Sequence, residues 1–328
     1  MIAEANVPVT ITGLGAYAPD RILANAELEK LVDTSDEWII ERTGIRERRI
    51  ASDAQALSDL ALPGCEAALA QAGLTGKDID LIIVATVTPD MSFPASAVIL
   101  AEKLGATEAG AYDLSAGCTG FMYAVVQAYG MVAAGLANRA LVVGGDILSR
   151  ILDWNDRSTV VLFGDGAGAV VLEAADQPGF LAFELGADGS GGEHLALPGS
   201  GSRLFDDADK RVKMNGREVF KFATRILVQS AENVLAQVGM SIEDVDVYVP
   251  HQANVRIIDH ATKKLGIPSD RVVVNVDRYG NTSSGSIPLA LADAQRDGRL
   301  QPGKLVLMTG MGAGLTWGSA LMKWTLSA

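Results

Sequence analysis

The 328-residue chain answers itself at half its length. Leu69-Ala-Gln-Ala-Gly73-Leu-Thr-Gly-Lys-Asp78-Ile-Asp80-Leu-Ile-Ile-Val84 is matched by Leu235-Ala-Gln-Val-Gly239-Met-Ser-Ile-Glu-Asp244-Val-Asp246-Val-Tyr-Val-Pro250, at an offset of 246 − 80 = 166. Lys103-Leu-Gly105 returns as Lys264-Leu-Gly266 at 264 − 103 = 161, and Arg139-Ala-Leu-Val-Val-Gly144 as Lys304-Leu-Val-Leu-Met-Thr309 at 304 − 139 = 165. Three matches, in order and at nearly one offset, confine the fold to one unit used twice. Each copy reads helix, strand, loop, helix ended by glycine, strand, turn, helix, strand. The runs Leu81–Val87, Ala140–Val143 and Leu305–Met308 are apolar without alternation, the pattern of strands covered on both faces. Strands alternating with helices predict a layered α/β architecture. The halves, 1–174 and 175–328, meet near Glu173–Gly179, where Asp176-Gln-Pro178-Gly179 supplies turn chemistry.

Equivalent loops of such halves gather around a pseudo-dyad, and chemistry is expected there. In the first half the turn is Asp113-Leu-Ser-Ala-Gly-Cys118-Thr-Gly-Phe121, followed by a helix from about Thr119 to Ala134. Phe121, Val125, Ala128, Tyr129 and Val132 form the helix's apolar face. A thiol at a helix N-terminus is expected to have its pKa lowered toward the reactive thiolate. The alternative is a small buried hydrophobe, the commoner fate of a free cysteine. Cys65, in register with Leu62, Ala68, Leu69 and Ala72, reads as core. In the second half, His251 ends a strand and precedes a helix over Asn254–Leu265, and Asn281 sits in a turn of small polar residues. Each reads as a ligand-facing donor or as a residue satisfied by local backbone. Gly310-Met-Gly312-Ala-Gly314 follows another buried strand, where a backbone N–H can serve as an oxyanion donor or the glycines can simply permit tight packing. His194 and His260 read as surface residues.

A formal charge of −13 argues against general nucleic-acid binding. Two cysteines build no disulfide framework, which fits a reducing compartment. Met1–Asn6 lacks the basic and apolar pattern of a leader, and no stretch has the ~20 apolar residues of a spanning helix, so a cytoplasmic protein is expected. Gly13-Leu-Gly15-Ala-Tyr-Ala18 imitates a dinucleotide fingerprint, but Pro19-Asp20 interrupts the helix that must follow. No metal-ligand spacing and no P-loop is present. Arg217, Lys221 and Arg225 form a basic stripe at helical spacing, either a solvated face or a docking patch for an acidic carrier.

Ala116-Gly-Cys118-Thr-Gly-Phe121, His251-Gln-Ala-Asn-Val-Arg256, Gly280-Asn281-Thr-Ser283 and Gly312-Ala-Gly-Leu-Thr-Trp-Gly318 together resemble β-ketoacyl-acyl-carrier-protein synthase III. Thr34–Arg46 and Phe163–Gly168 extend the likeness over nearly the whole chain. The resemblance implies the thiolase fold, two pseudo-equivalent halves in five αβαβα layers, and a homodimer. It implies that Cys118 takes an acyl group from acyl-CoA, and that His251 and Asn281 stabilise the enolate formed when malonyl-acyl-carrier protein loses CO₂. Cys118, Gly312 and Ala313 would supply backbone oxyanion donors; no metal or bound cofactor is implied. Trp38, Arg42, Arg157, Phe220 and Asn254 match CoA-binding positions, and Phe93 and Met311 match acyl-pocket positions, with Phe93 reaching the partner. Arg256, Lys221, Lys263 and Lys264 match the carrier-docking surface. Met311, where the family usually has Phe, and Gly285, where it usually has Ala, depart from the pattern and bear on the choice of primer. Two other readings stand beside initiation of fatty-acid synthesis: a starter-unit condensing enzyme of polyketide or quinolone type, and a non-catalytic carrier-binding scaffold. Scaffolds of that kind typically lack the nucleophile.

Overall fold

The computed structural model describes residues 7–202 and 210–327; Met1–Asn6, read above as lacking a leader, lie outside them. The first sheet contains β1 (Val9–Tyr17), β2 (Leu81–Ala85), β3 (Gly110–Leu114), β4 (Arg139–Ile147) and β5 (Asp165–Ala174), in the order β1-β5-β4-β2-β3. The second contains β6 (Phe180–Ala187), β7 (Val247–Pro250), β8 (Leu305–Gly312) and β9 (Thr316–Lys323), in the order β6-β9-β8-β7. Both begin with two antiparallel pairings and continue parallel, and a parallel bridge from Tyr248 to Val272 stands where β3 stands in the first half. The repeat in the sequence is therefore a repeat of topology.

Matching polar contacts explain why those residues recur. Asp78 accepts the Thr75 N–H and Asp244 the Ser241 N–H, each at 2.8 Å, closing the same capped turn before β2 and β7. Asp80 then accepts the Arg139 N–H at 2.9 Å and Asp246 the Leu305 N–H at 2.8 Å, locking each strand to its parallel neighbour.

The helices sort by burial. In α4 (Gly120–Ala133) and α7 (Ser286–Arg296) burial runs around most of the circumference, through Phe121, Met122, Ala124, Val125 and Ala128 in one and Ile287 to Leu291 in the other. Such helices suit a middle layer. They pack between the sheets in a core shared by both halves, with Val142, Val170, Val249, Val306 and Met308. The outer helices are amphipathic: α2 (Leu57–Ala72) and α3 (Ser96–Leu104) cover the first sheet, and α5 (Gly216–Ala236) and α6 (Val255–Leu265) the second. The result is the expected five-layered sandwich. Leu81–Val87 was read as one strand, but β2 stops at Ala85, because Thr86, Val87 and Thr88 turn to donate to the buried carboxylate of Asp146.

Candidate active site

Cys118 lies in a single 3-10 turn, Gly117–Thr119, between β3 and α4. Gly117 holds φ 57°, and a Cβ there would come within 2.8 Å of the Ala313 nitrogen. A Cβ on Gly312 would come within 2.6 Å of the Cys118 nitrogen. Only glycines allow these two loops to close. Thr316 Oγ1 joins them, donating to the carbonyls of Ala116 (3.0 Å) and Ala313 (2.9 Å). The N–H groups of Cys118 and Ala313 are thereby directed at the sulfur.

The expected lowering of the thiol pKa does not survive the structure. Burial pushes Cys118 up to about 11, and the charge of Asp146 adds to this. Hydrogen bonds with Ser283 and with the Cys118 and Ala313 N–H groups oppose the rise without cancelling it. The thiol is only 8% exposed, and desolvation disfavours its charged form more than the local donors favour it.

His251 comes directly after β7 and extends its ladder by one bond, N–H to Thr309 O at 2.8 Å. Its Nδ1 lies 2.5 Å from Ser286 Oγ, at the start of α7. Its Nε2 is buried with no hydrogen-bond partner among the described residues. Burial pulls the imidazole down to about 4, so it is neutral at pH 7. Asn281 is held by N–H to Leu162 O (2.8 Å) and by the Gly164 N–H to its own carbonyl (3.0 Å). Its Oδ1 accepts the Ser283 N–H at 2.8 Å, which fixes the amide with Nδ2 as the remaining donor end.

These elements enclose two cavities that meet at Cys118. A cavity of about 140 Å³ is lined by Cys118, His251, Asn281, Phe220, Asn254 and Met311. A cavity of about 430 Å³ on the other side is walled by Val87, Leu148, Ile151, Leu197 and Val212. Phe163 and Leu195 face both. Met311, near the end of β8, lines the smaller cavity beside His251 and Asn281. Phe93 lines neither cavity and is 84% exposed.

Trp38 on α1 (Asp36–Thr43) lies under two guanidinium groups, Arg157 at 4.9 Å and Arg42 at 5.8 Å from the ring centre. Asn254 Nδ2 donates to the Arg42 carbonyl at 3.1 Å, and Arg256 lies 5.7 Å over Phe220. Arg256, Lys263 and Lys264 on α6 and Lys221 on the adjoining α5 are exposed. Ser283 and Ser286, which touch the cysteine and the histidine, were not singled out from the sequence. Carrying the 166-residue offset past the matched segments pairs Cys118 with Ser284 and Gly120 with Ser286, and would have drawn the eye to this turn.

A buried cysteine facing an imidazole and a carboxamide across a pseudo-dyad, within five αβαβα layers, defines a condensing acyltransferase of thiolase architecture. Residues 112–189 match the model of 3-oxoacyl-[acyl-carrier-protein] synthase III and residues 235–324 that of its C-terminal part. The chain is 50% identical to the β-ketoacyl-[acyl-carrier-protein] synthase III of Desulfitobacterium hafniense and 52% to that of Symbiobacterium thermophilum, each match covering 97% of this chain and 98% of the relative. The crystal structure of the synthase III from Thermus thermophilus superposes with a TM-score of 0.92 at 48% identity, over 96% of this chain and 99% of that one. The priming β-ketosynthase of the R1128 polyketide pathway superposes at 0.94 with 36% identity, over 100% and 99%. The chain belongs to the β-ketoacyl-[acyl-carrier-protein] synthase III family.

Proposed function

We propose that this chain performs the initiating condensation of fatty-acid synthesis, joining an acyl-CoA primer to malonyl-acyl-carrier protein. The observation that carries this reading is the convergence of Cys118, His251 and Asn281 on one cavity, with a buried histidine nitrogen left unpartnered. The sulfur of Cys118 attacks the thioester carbonyl, the C–S bond to CoA breaks, and the thiol proton leaves with CoA. Malonyl-carrier then loses CO₂, and the electron pair of the broken C–C bond passes into an enolate. His251 Nε2 and Asn281 Nδ2 donate to that enolate oxygen. The carbanion attacks the acyl-Cys118 carbonyl, whose oxyanion is met by the N–H groups of Cys118 and Ala313, with Gly312 letting the loops close. Release of the sulfur as thiolate gives 3-ketoacyl-carrier protein, and a proton from solvent restores the Cys118 thiol. Each charge appears where a fixed donor already points, which lowers a barrier without reorganisation. Thioesters activate both partners, and no step calls on a metal or bound cofactor.

The apolar walls of the larger cavity suit the primer's acyl chain, and the smaller cavity suits the pantetheine arm, with Phe220 and Asn254 along it. Trp38 and Arg157 would hold the adenine and Arg42 the phosphates. A flat ring between indole and guanidinium needs two contacts of ~3.5 Å, about 7 Å in all, so Arg157 swings outward on binding from its 4.9 Å position. Arg256, Lys263 and Lys264, at i, i+7 and i+8 on α6, with Lys221 beside them, offer a cationic face to an acidic carrier on a chain of net charge −13. β3 is an edge strand whose Asp113 accepts the Ser96 and Ala97 N–H groups at the start of α3, and the segment leading into that helix leaves Met91 and Phe93 exposed. Such an edge invites pairing with a second copy, which would carry Phe93 toward the partner's acyl cavity.

Incubation with a panel of acyl-CoAs, followed by peptide and native mass spectrometry, tests the reading. Acylation confined to the Cys118 peptide is expected, in a particle of twice the 34.3 kDa chain. Acetyl or short branched groups fit fatty-acid initiation, and preferred loading of a long or aromatic group would replace it with the starter-unit reading. Absence of any acyl-enzyme, with Cys118 still alkylatable, would overturn catalysis and leave the carrier-binding scaffold.

A further inference from the structure

We infer that Ser286 is a positioning residue that fixes the tautomer of His251, so that the imidazole can only donate into the site; this rests on the enolate-stabilising role given to His251 above. Ser286 is buried, and its hydroxyl oxygen has two neighbours: the Gln252 N–H at 3.3 Å and His251 Nδ1 at 2.5 Å. An N–H can only donate, so the oxygen accepts from Gln252. Its own proton is then free for Nδ1, and donating it there makes Nδ1 the unprotonated nitrogen of the neutral ring. The ring proton therefore sits on Nε2, the nitrogen with no partner among the described residues, at the cavity shared with Cys118 and Asn281. In the opposite tautomer Ser286 would accept two hydrogen bonds and bury an unpaired O–H, while a bare Nε2 lone pair faced the developing enolate. A buried donor left unpaired is disfavoured.

The assignment has a chemical consequence. With its proton on Nε2, His251 cannot take the thiol proton of Cys118 in the free enzyme, so it acts in decarboxylation and not as the base for acylation. The residue that decides between those roles is a serine on a different element, the first residue of α7.

Ser286→Ala should leave acylation of Cys118 by acyl-CoA within about threefold of the unaltered protein. Condensation with malonyl-carrier should fall roughly 10- to 100-fold, the range for removing a group that orients a catalytic ligand. Ser286→Thr, which keeps the hydroxyl, should recover much of that loss. The chain has only three histidines, so ¹⁵N-histidine labelling of the unaltered protein reads the tautomer directly and needs no variant to fold. A protonated Nε2 and an imine-like Nδ1 at His251 are expected. A protonated Nδ1, or full condensation by Ser286→Ala, would overturn the assignment. Failure of the unaltered protein to condense at all would instead strike the proposed function.

Discussion

The two halves share a topology but not a task, and the divergence is sharpest at the turns that start their central helices. Counting back from α4 and α7 pairs Cys118 with Ser284, since 284 − 118 = 166, and Gly117 with Ser283 at the same offset. In the first half the second residue of the turn is the proposed nucleophile, open to both cavities. In the second half Ser284 is fully occupied, donating to the Ala85 carbonyl at 2.8 Å and to Asp146 at 2.9 Å. The strand ends diverge in the same way. After β2 the chain wraps the Asp146 carboxylate, whereas after β7 it presents His251. Duplication placed two equivalent sets of loops around one point. In the proposed reaction one set holds the reacting atom and the other supplies donors, and Ser284 ties the halves together through Ala85 and Asp146.

If the labour is divided this way, the halves should fail separately. Cys118→Ala should lower acyl-CoA-dependent condensation by about 10⁴-fold or more, while decarboxylation of malonyl-carrier, which needs only His251 and Asn281, persists. His251→Ala or Asn281→Ala should do the reverse. Acylation should stay within about tenfold, and decarboxylation should fall roughly 10²- to 10³-fold, the loss of one preorganised donor. Radiolabelled CO₂ release and acyl-enzyme formation, measured on the same preparations, separate the two. Equal loss of both steps in His251→Ala would dissolve the distinction between the halves.

The thiol offers a second way to sharpen the comparison, through pH. A pKa raised to about 11 leaves the thiolate a minor species across the neutral range. The rate of Cys118 alkylation by iodoacetamide should therefore climb nearly tenfold per pH unit from pH 7 to 9, about 100-fold in total, without levelling. A plateau by pH 8 would show that donors outweigh burial, as the sequence alone suggested. His251, held near 4, adds no inflection in that range.

That reversal marks the boundary of what the chain discloses unaided. The repeat exposed the two halves because Asp78, Asp80 and Gly105 perform the same capping and locking as Asp244, Asp246 and Gly266, and local hydrogen bonds leave a local signature. Cys118, His251 and Asn281 stood out for a related reason, since each lies at a turn of small or polar residues that closes an element: β3 before Cys118, the buried β7 before His251 and the short helix Val276–Tyr279 before Asn281. The thiol pKa was not, because it depends on how deeply tertiary packing buries the sulfur and on Asp146, 28 positions away (146 − 118). The larger cavity's walls Val87, Leu148, Ile151 and Val212 come from three separate connections, only Leu148 and Ile151 sharing a turn.

The smallest expected effect concerns the paired left-handed positions. Gly117 and Ser283 hold nearly the same conformation, φ 57° and 52°, yet one is glycine and the other is not. At Gly117 a side chain would meet Ala313 N at 2.8 Å, so strain and contact act together. Ser283 keeps a side chain in a conformation that disfavours it by ~1–2 kcal/mol, and its hydroxyl bonds the thiol. Gly117→Ala should destabilise by at least ~1–2 kcal/mol and slow acylation by displacing Cys118. Ser283→Gly relieves the backbone but frees the unfolded chain, which offsets part of the gain, so stability should shift by less than ~1 kcal/mol. Its clearer mark should be a slightly higher thiol pKa, read from the alkylation profile, because one of the donors opposing burial is gone. If Ser283→Gly destabilised the protein as much as Gly117→Ala does, the serine would be holding the fold together, and its placement beside the thiol would carry no chemical meaning.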